Sequence, residues 1–151
     1  MKIQEEIITW DLIEEIKPLL QEHYEEICEY KDIMKLNPDY NKYLELQKLG
    51  MLHTVTVRDE GKLIGYAITF TIKNLHYQDC LMGLNDILFI SKPYRNGSLA
   101  IRLLKYVEDA LKNKGVQILH YHIKVKHDHA RLFEKLGYVC IEKLYGRSLW
   151  Q

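Results

Sequence analysis

The 151-residue chain predicts an α/β fold, a mixed sheet with helices on its faces, and three observations carry that prediction. The hydrophobic pattern has a helical period over residues 10–50, becomes alternating or β-branched over residues 53–90, and then switches between the two. Turn signals separate these stretches, among them Asn37-Pro38-Asp39, Asp59-Glu60-Gly61 and Pro93 to Gly97. The composition, 47% hydrophobic and 28% charged, is that of an ordinary soluble chain long enough to bury a full core, which excludes wholesale disorder and collagen-like repeats. With no internal repeat, low-complexity tract or Pro/Gly/Ser linker, residues 1–151 read as a single domain.

Residues 2–8 form a short predicted strand. Residues 10–30 predict a helix: Leu12, Ile13, Ile16, Leu19 and Leu20 recur at three-to-four spacing, and Thr9 or Asp11 supplies the N-cap. Pro18 is expected to kink or split it. A second helix starts at Asn37-Pro38-Asp39, with proline in its first turn, and stops at Gly50. Residues 53–58 and 62–72 then read as strands of a hairpin, and residues 81–90 as a third extended segment. Residues 98–114 make a strongly amphipathic helix with Leu99, Leu103, Val107, Ala110 and Leu111 on one face, closed by Gly115. A strand over 116–125, a short helix over 129–136 and a final strand pair or hairpin over 139–149 complete the order β-α-α-β-β-β-α-β-α-β.

The formal net charge of zero hides an asymmetry. Residues 1–60 hold 14 acidic and 7 basic side chains, and residues 61–151 hold the reverse. The basic half suggests contact with an anion, for which nucleic acid, a phosphorylated cofactor, an acidic protein and a merely solvated surface all remain open. Cys28, Cys80 and Cys140 lie far apart, are odd in number and form no CxxC, which argues against a disulfide framework and for a reducing, cytoplasmic setting. No apolar run approaches the ~18 residues of a membrane span, and the first residues lack a signal-peptide pattern, so no membrane partner is expected.

The segment from Asp86 to Ala100 runs from a strand through a tight polar turn into a helix. The first amides of that helix have no internal acceptor and lie at the positive end of the helix dipole, which makes the turn a ready anion site. Arg95 adds charge, and Gly97, Ser98 and Ala100 are small enough for backbone to approach a ligand. An ordinary strand–turn–helix junction reads equally well on spacing alone.

Tyr94-Arg95-Asn96-Gly97-Ser98-Leu99-Ala100, with Leu103-Leu104 beyond, resembles the pyrophosphate-binding loop of the GNAT superfamily of N-acetyltransferases, Arg/Gln-x-x-Gly-x-Gly/Ala at a helix start. Ala130-Arg-Leu-Phe-Glu-Lys-Leu-Gly-Tyr138 resembles the same family's helix-to-strand segment, and the element order matches along nearly all of the chain. The His76-Tyr-x-Asp79 stretch looks most like members encoded by tailed phages and prophages. The resemblance implies a mostly antiparallel mixed sheet with helices on both faces, acetyl-CoA as cofactor, and acetyl transfer to a primary amine of a small molecule or protein. It implies that the pantetheine arm pairs with backbone at Leu88, Phe89 and Ile90, and that the pyrophosphate sits on amides of Arg95, Asn96, Gly97, Ser98, Leu99 and Ala100. Amides of Phe89 or Ile90 would stabilise developing negative charge. Two positions depart from the pattern: Ser98 replaces a glycine, and Phe133 replaces a tyrosine that protonates the leaving thiolate in many members.

Asp86 stands where active relatives often carry a glutamate, and is the first candidate base for an amine of pKa about 10. The alternative is a carboxylate bonded to backbone at a sheet irregularity. His120 and His122 alternate on the next predicted strand, and His122 is the second candidate base, unless both are polar groups on a half-exposed face. Four histidines between residues 120 and 129 raise zinc, but no Cys or carboxylate pattern completes a ligand set, so no metal is expected. His76 and Tyr77, with Tyr40 and Tyr43, could shape an acceptor pocket or simply pack. The rival to an enzyme is a non-catalytic phage protein that keeps the fold as a binding or virion-associated module. Nucleic acid is not an expected partner, because the tyrosines are not interleaved with a basic run; the last strand could pair across a homodimer.

Overall fold

The structure is a computed structural model that describes residues 1–95 and 97–149. Among them, the chain order is β1 (Lys2–Glu5), α1 (Trp10–Ile27), α2 (Tyr40–Lys48), β2 (Leu52–Asp59), β3 (Lys62–Lys73), β4 (Leu81–Ile90), α3 (Leu99–Asn113), β5 (Ile118–His120) and α4 (Ala130–Lys135), with 3-10 turns at Lys92–Tyr94 and Val125–His127. The strands form one sheet in the order β1-β2-β3-β4-β5. The first three pairings are antiparallel and β4–β5 is parallel, so the sheet is mixed and mostly antiparallel, as the resemblance implied.

Helices cover both faces. On one side α1 presents Leu12, Ile13, Ile16, Leu19 and Leu20 to Tyr66, Ile68 and Phe89, with α2 packed at the margin. On the other, α3 presents Leu99, Leu103, Val107 and Leu111 to Val55, Val57, Ile64, Ala67 and Ile90. Each fully buried aliphatic side chain contributes about 1.5–3 kcal/mol. Arg58 ties the outer strands to α1 with ion pairs to Glu6 (2.7 Å) and Glu15 (2.6 Å).

Thr9, not Asp11, caps α1, accepting a hydrogen bond from the Leu12 amide. The expected break at Pro18 does not occur, and α1 runs unbroken for 18 residues. Pro18 lies on the exposed side, where water can bond the orphaned carbonyl one turn back, while the buried stripe fixes the helix on the sheet. Asp39 caps α2 by accepting from the Lys42 amide, so Pro38 lies outside the first turn rather than in it.

The largest correction is at the C-terminal end. The predicted strand over 116–125 is reduced to three residues, and residues 139–149 form no strand. β5 meets β4 only at Met82, Gly83 and Leu84, too short an edge to template a further ladder. Val139, Leu144 and Tyr145 are exposed, so the alternation there has no core to face.

Candidate functional site

β4 changes partners halfway along its length, and that change builds the site. From Leu81 to Leu84 it lies between β3 and β5; from Asn85 to Ile90 only β3 remains among the described residues. The Ser91 amide bonds the Ile64 carbonyl, which fixes the antiparallel alternation beyond it. By that alternation the peptide groups of Phe89 point at Tyr66 on β3, whereas those of Leu88 and Ile90 point to the open side. The Ile90 carbonyl accepts a 2.7 Å hydrogen bond from Arg95 Nε on that side, consistent with the assignment.

A β-bulge sits where β5 leaves. Ile68 pairs with Ile87 and Thr69 with Asn85, so Asp86 has no residue opposite it. The buried Asn85 amide group clamps the bulge by donating to the carbonyls of Ile68 (3.3 Å) and Ile87 (3.0 Å). Without the extra residue, alternation would put Asp86 on the α3 face with Leu88 and Ile90. The bulge turns it the other way, where it accepts a 2.5 Å hydrogen bond from Tyr43 Oη on α2. Asp86 keeps an exposed edge, yet protein crowded around the carboxylate raises its pKa, against which the Tyr43 bond pulls it down. Burial and the neighbouring carboxylate both raise the Tyr43 phenol, so it remains the donor. The sheet irregularity foreseen at Asp86 is present, with a side-chain phenol rather than backbone as its partner.

Beside this pair lies an apolar cavity of about 210 Å³ between α1, the α1–α2 connection, α2 and the sheet, lined by Ile16, Leu36, Tyr40, Tyr43 and Ile87 among others. Tyr40 and Tyr43 are thus pocket residues. His76 and Tyr77 are exposed, pack on each other with ring centres 6.4 Å apart, and do not line it.

At the end of β4, the 3-10 turn Lys92–Tyr94 leads to Gly97, whose φ of 80° is a conformation only glycine adopts without strain. Ser98 is the N-cap of α3, yet its side chain makes no capping bond. The amides of Leu99, Ala100 and Ile101 have no intrahelical acceptor by helix geometry. Asn96 lies outside the described residues.

Arg95 does not stand free beside these amides. Its guanidinium forms a two-pronged ion pair with Glu26 of α1 (2.7 and 2.8 Å) and packs over the Phe89 ring. Its amide donates to the Lys92 carbonyl, so it belongs to the turn. The Arg95 bond and charge hold Glu26 below the usual carboxylate range. His23, whose ring centre lies 5.0 Å from that of Phe89, is half-buried, and desolvation pushes its pKa down to about 4.

The remaining predicted residues lie elsewhere. His122 follows the end of β5 and is exposed, so it does not share a strand face with half-buried His120. The reason is the parting of the strands: beyond Leu84 nothing on β4 is left to hold residue 122 in a ladder. Phe133 is buried in an aromatic trio with Tyr121 (4.9 Å) and Tyr138 (5.4 Å), and Tyr138 donates to Glu108 of α3 at 2.6 Å. Two participants escaped the sequence reading. Asn85 could have been flagged, since an Asn inside a strand run is unusual and suggests an irregularity. Glu26 carried no signal, being 69 residues from Arg95.

Comparison with known proteins agrees with this architecture. Residues 52–140 match the acetyltransferase (GNAT) domain family. The chain belongs to that family. A curated relative, N-alpha-acetyltransferase 30 of Schizosaccharomyces pombe, is 27% identical over 135 residues, covering 86% of this chain and 87% of that protein. The fold is shared with the ribosomal-protein-alanine N-acetyltransferase of Brucella melitensis biovar Abortus 2308, at TM-score 0.72 and 17% identity, with 99% of this chain and all of that chain covered. It is shared equally with an aminoglycoside N-acetyltransferase solved in complex with CoA, at TM-score 0.71, 14% identity, and 99% and 100% coverage.

Proposed function

We propose that this chain transfers an acetyl group from acetyl-CoA to a primary amine, with Asp86 as the base. The observation that carries the reading is the coincidence of two features on β4. The strand loses its β5 partner after Leu84, and there a bulge turns the Asp86 carboxylate toward Tyr43 of α2, a residue that lines the cavity.

The residues present fit the cofactor. The outward peptide groups at Leu88 and Ile90 offer an unpaired strand edge for an amide-bearing arm. The amides of Leu99 and Ala100 open a 15-residue helix whose N-cap side chain leaves them uncapped, and with Gly97 and Ser98 just before them they suit a diphosphate. Acetyl-CoA, when bound, supplies an acyl group on a thiol that leaves readily.

The rest is the work of the chain. Asp86 accepts a proton from the incoming ammonium, directly or through one water, and Tyr43 keeps its carboxylate oriented while it does so. The raised pKa of Asp86 brings it closer to the working range of a base than an exposed aspartate would be. Arg95 acts by position: bound to Glu26 and to the Ile90 carbonyl, it fixes the turn against α1. Phe133 supplies no proton, so the departing thiolate takes one from water.

Isothermal titration with acetyl-CoA, followed by thiol release with a panel of amines, tests the reading. Binding lost on Ser98→Trp and turnover lost on Asp86→Asn are expected; no binding at millimolar acetyl-CoA would overturn it. A second reading, a binding protein that keeps the fold without catalysis, is favoured by Phe133 alone, which packs against Tyr121 and Tyr138 and has no proton to give. The narrower likeness to phage-encoded members rests on His76 to Asp79, an exposed stretch away from the pocket. Homodimer formation through a last strand has no described strand to support it.

A further inference from the structure

The cavity next to Asp86 restricts the acceptor. It measures about 210 Å³, and Ile16, Leu20, Leu36, Tyr40, Ile68 and Ile87 supply much of its wall; none of its lining residues carries a charge. Two of those neighbours lead directly to the base: Tyr43 lines the cavity and bonds Asp86, and Ile87 follows Asp86 on β4. An apolar cavity of ~150 Å³ already takes up benzene. This one has room for a branched aliphatic or single-ring aromatic group.

Among the side chains that line it, only Tyr40 and Tyr43 carry a polar group. The Asp86 carboxylate, bonded to Tyr43, complements an ammonium, and behind the lining the Tyr66 hydroxyl, fully buried and within electrostatic reach of Tyr40 and Asp86, has no hydrogen-bond partner among the described residues. A polycation paired with Asp86 would face an uncharged wall in the cavity, so further charges placed there would be desolvated without partners.

We infer that the acceptor is an amine whose neighbouring substituent is one uncharged apolar group, with the amine at Asp86 and the substituent in the cavity. The inference rests on the acetyl-transfer reading for the reaction and on the cavity for the substituent. Such an amine could be a free small molecule or the α-amino end of a peptide that begins with an apolar residue.

The test compares kcat/KM for leucinamide, phenethylamine, glycinamide and kanamycin on the full chain with acetyl-CoA. Calorimetric binding of leucinamide without any acyl donor accompanies it. Burying the apolar group favours leucinamide and phenethylamine over glycinamide by roughly tenfold to a hundredfold, with kanamycin no better than glycinamide. Leu36→Trp, at the rim, should abolish that preference and the binding of leucinamide. Ile87→Ala should move the preference from leucinamide toward phenethylamine, a change of direction that poor folding does not produce. A Leu-initiated tripeptide matching leucinamide supports the inference with a peptide as source, and its exclusion while phenethylamine reacts supports it with a small amine. Turnover of glycinamide or kanamycin as fast as the apolar amines overturns the inference and leaves acetyl transfer standing. Leucinamide binding blocked by Leu36→Trp, with no amine turned over, upholds the cavity assignment and overturns acetyl transfer.

Discussion

Tyr43 and Asp86, 43 residues apart in the chain, are joined by a 2.5 Å hydrogen bond that crosses from α2 to the bulge of β4. The phenol donates and the carboxylate accepts, so the bond favours the ionised form of Asp86 and opposes the rise in pKa that its surroundings impose.

That balance gives a signed prediction. Asp86 must be deprotonated to take a proton, so kcat/KM rises with pH through its pKa. Tyr43→Phe removes the group that lowers this pKa, and the acidic limb of the pH–rate profile is expected to move to higher pH. Asp86→Asn should lower kcat by about 10²–10⁴-fold with acetyl-CoA affinity retained. An unshifted limb in Tyr43→Phe would show that another group is titrating.

The fold was legible because its long elements are strongly periodic. The extent of β4, from Leu81 to Ile90, and the amphipathic stripe of α3 could both be read from residue spacing. Asp86 was named by family likeness, but its partner was not legible as such: simple alternation aims it at the opposite face, and only the bulge between Ile68 and Thr69 reverses that. Similarly, Arg95 reads as a phosphate-seeking cation until Glu26 is found across the sheet edge. The final hairpin failed for a different reason. Alternation at Val139 and Ile141 states how a strand would face, while pairing depends on an edge that β5, at three residues, does not provide.

Ser98→Asp should separate helix stability from cofactor binding. The Ser98 side chain makes no capping bond, whereas Asp is among the best N-caps and also complements the helix dipole. The variant is expected to unfold at a temperature equal to or above that of the parent, with a stability gain of about 0.5–1 kcal/mol. Acetyl-CoA affinity should fall at least about tenfold, since a unit charge placed among the α3 amides opposes a phosphate. Differential scanning calorimetry and titration on the same samples check both signs, and unchanged affinity would remove the diphosphate from this helix end.

Arg95 and Glu26 offer a double-mutant cycle with opposite expectations for two roles. If Arg95 held phosphate, releasing it by Glu26→Gln would strengthen acetyl-CoA binding. The two-pronged pair and the bond to the Ile90 carbonyl indicate a positioning residue instead. Arg95→Ala, Glu26→Gln and the double variant should therefore weaken acetyl-CoA by similar amounts, and Arg95→Lys should restore little because it cannot reproduce the fork. Tighter binding in Glu26→Gln contradicts this role.

Stability should fall in two successive windows as pH is lowered, and His23 and Glu6 are prominent among the groups that titrate differently in the folded and unfolded chain. Half-buried His23 protonates at about 4 in the fold against 6.5 without it. The unfolded chain therefore takes up its proton first, and stability present above pH 6.5 is lost as pH falls toward about 4. Glu6 then follows. Its hydrogen bonds from Arg58, Thr56 and Gln4 depress it from 4.5 to about 2, so the stability it gives above pH 4.5 disappears as pH falls through that range. Urea titrations at intervals from pH 7 to pH 2.5 should show both declines. His23→Leu, which keeps an apolar contact with Phe89, should shrink the first, to which buried His53 also contributes, and leave the second. Glu6→Gln should shrink the second, which Glu5, Glu15 and Glu26 share, at a cost near neutral pH of about 1.5–3 kcal/mol from the weakened charged hydrogen bonds to Arg58. A single decline untouched by either substitution would place the acid-sensitive group elsewhere.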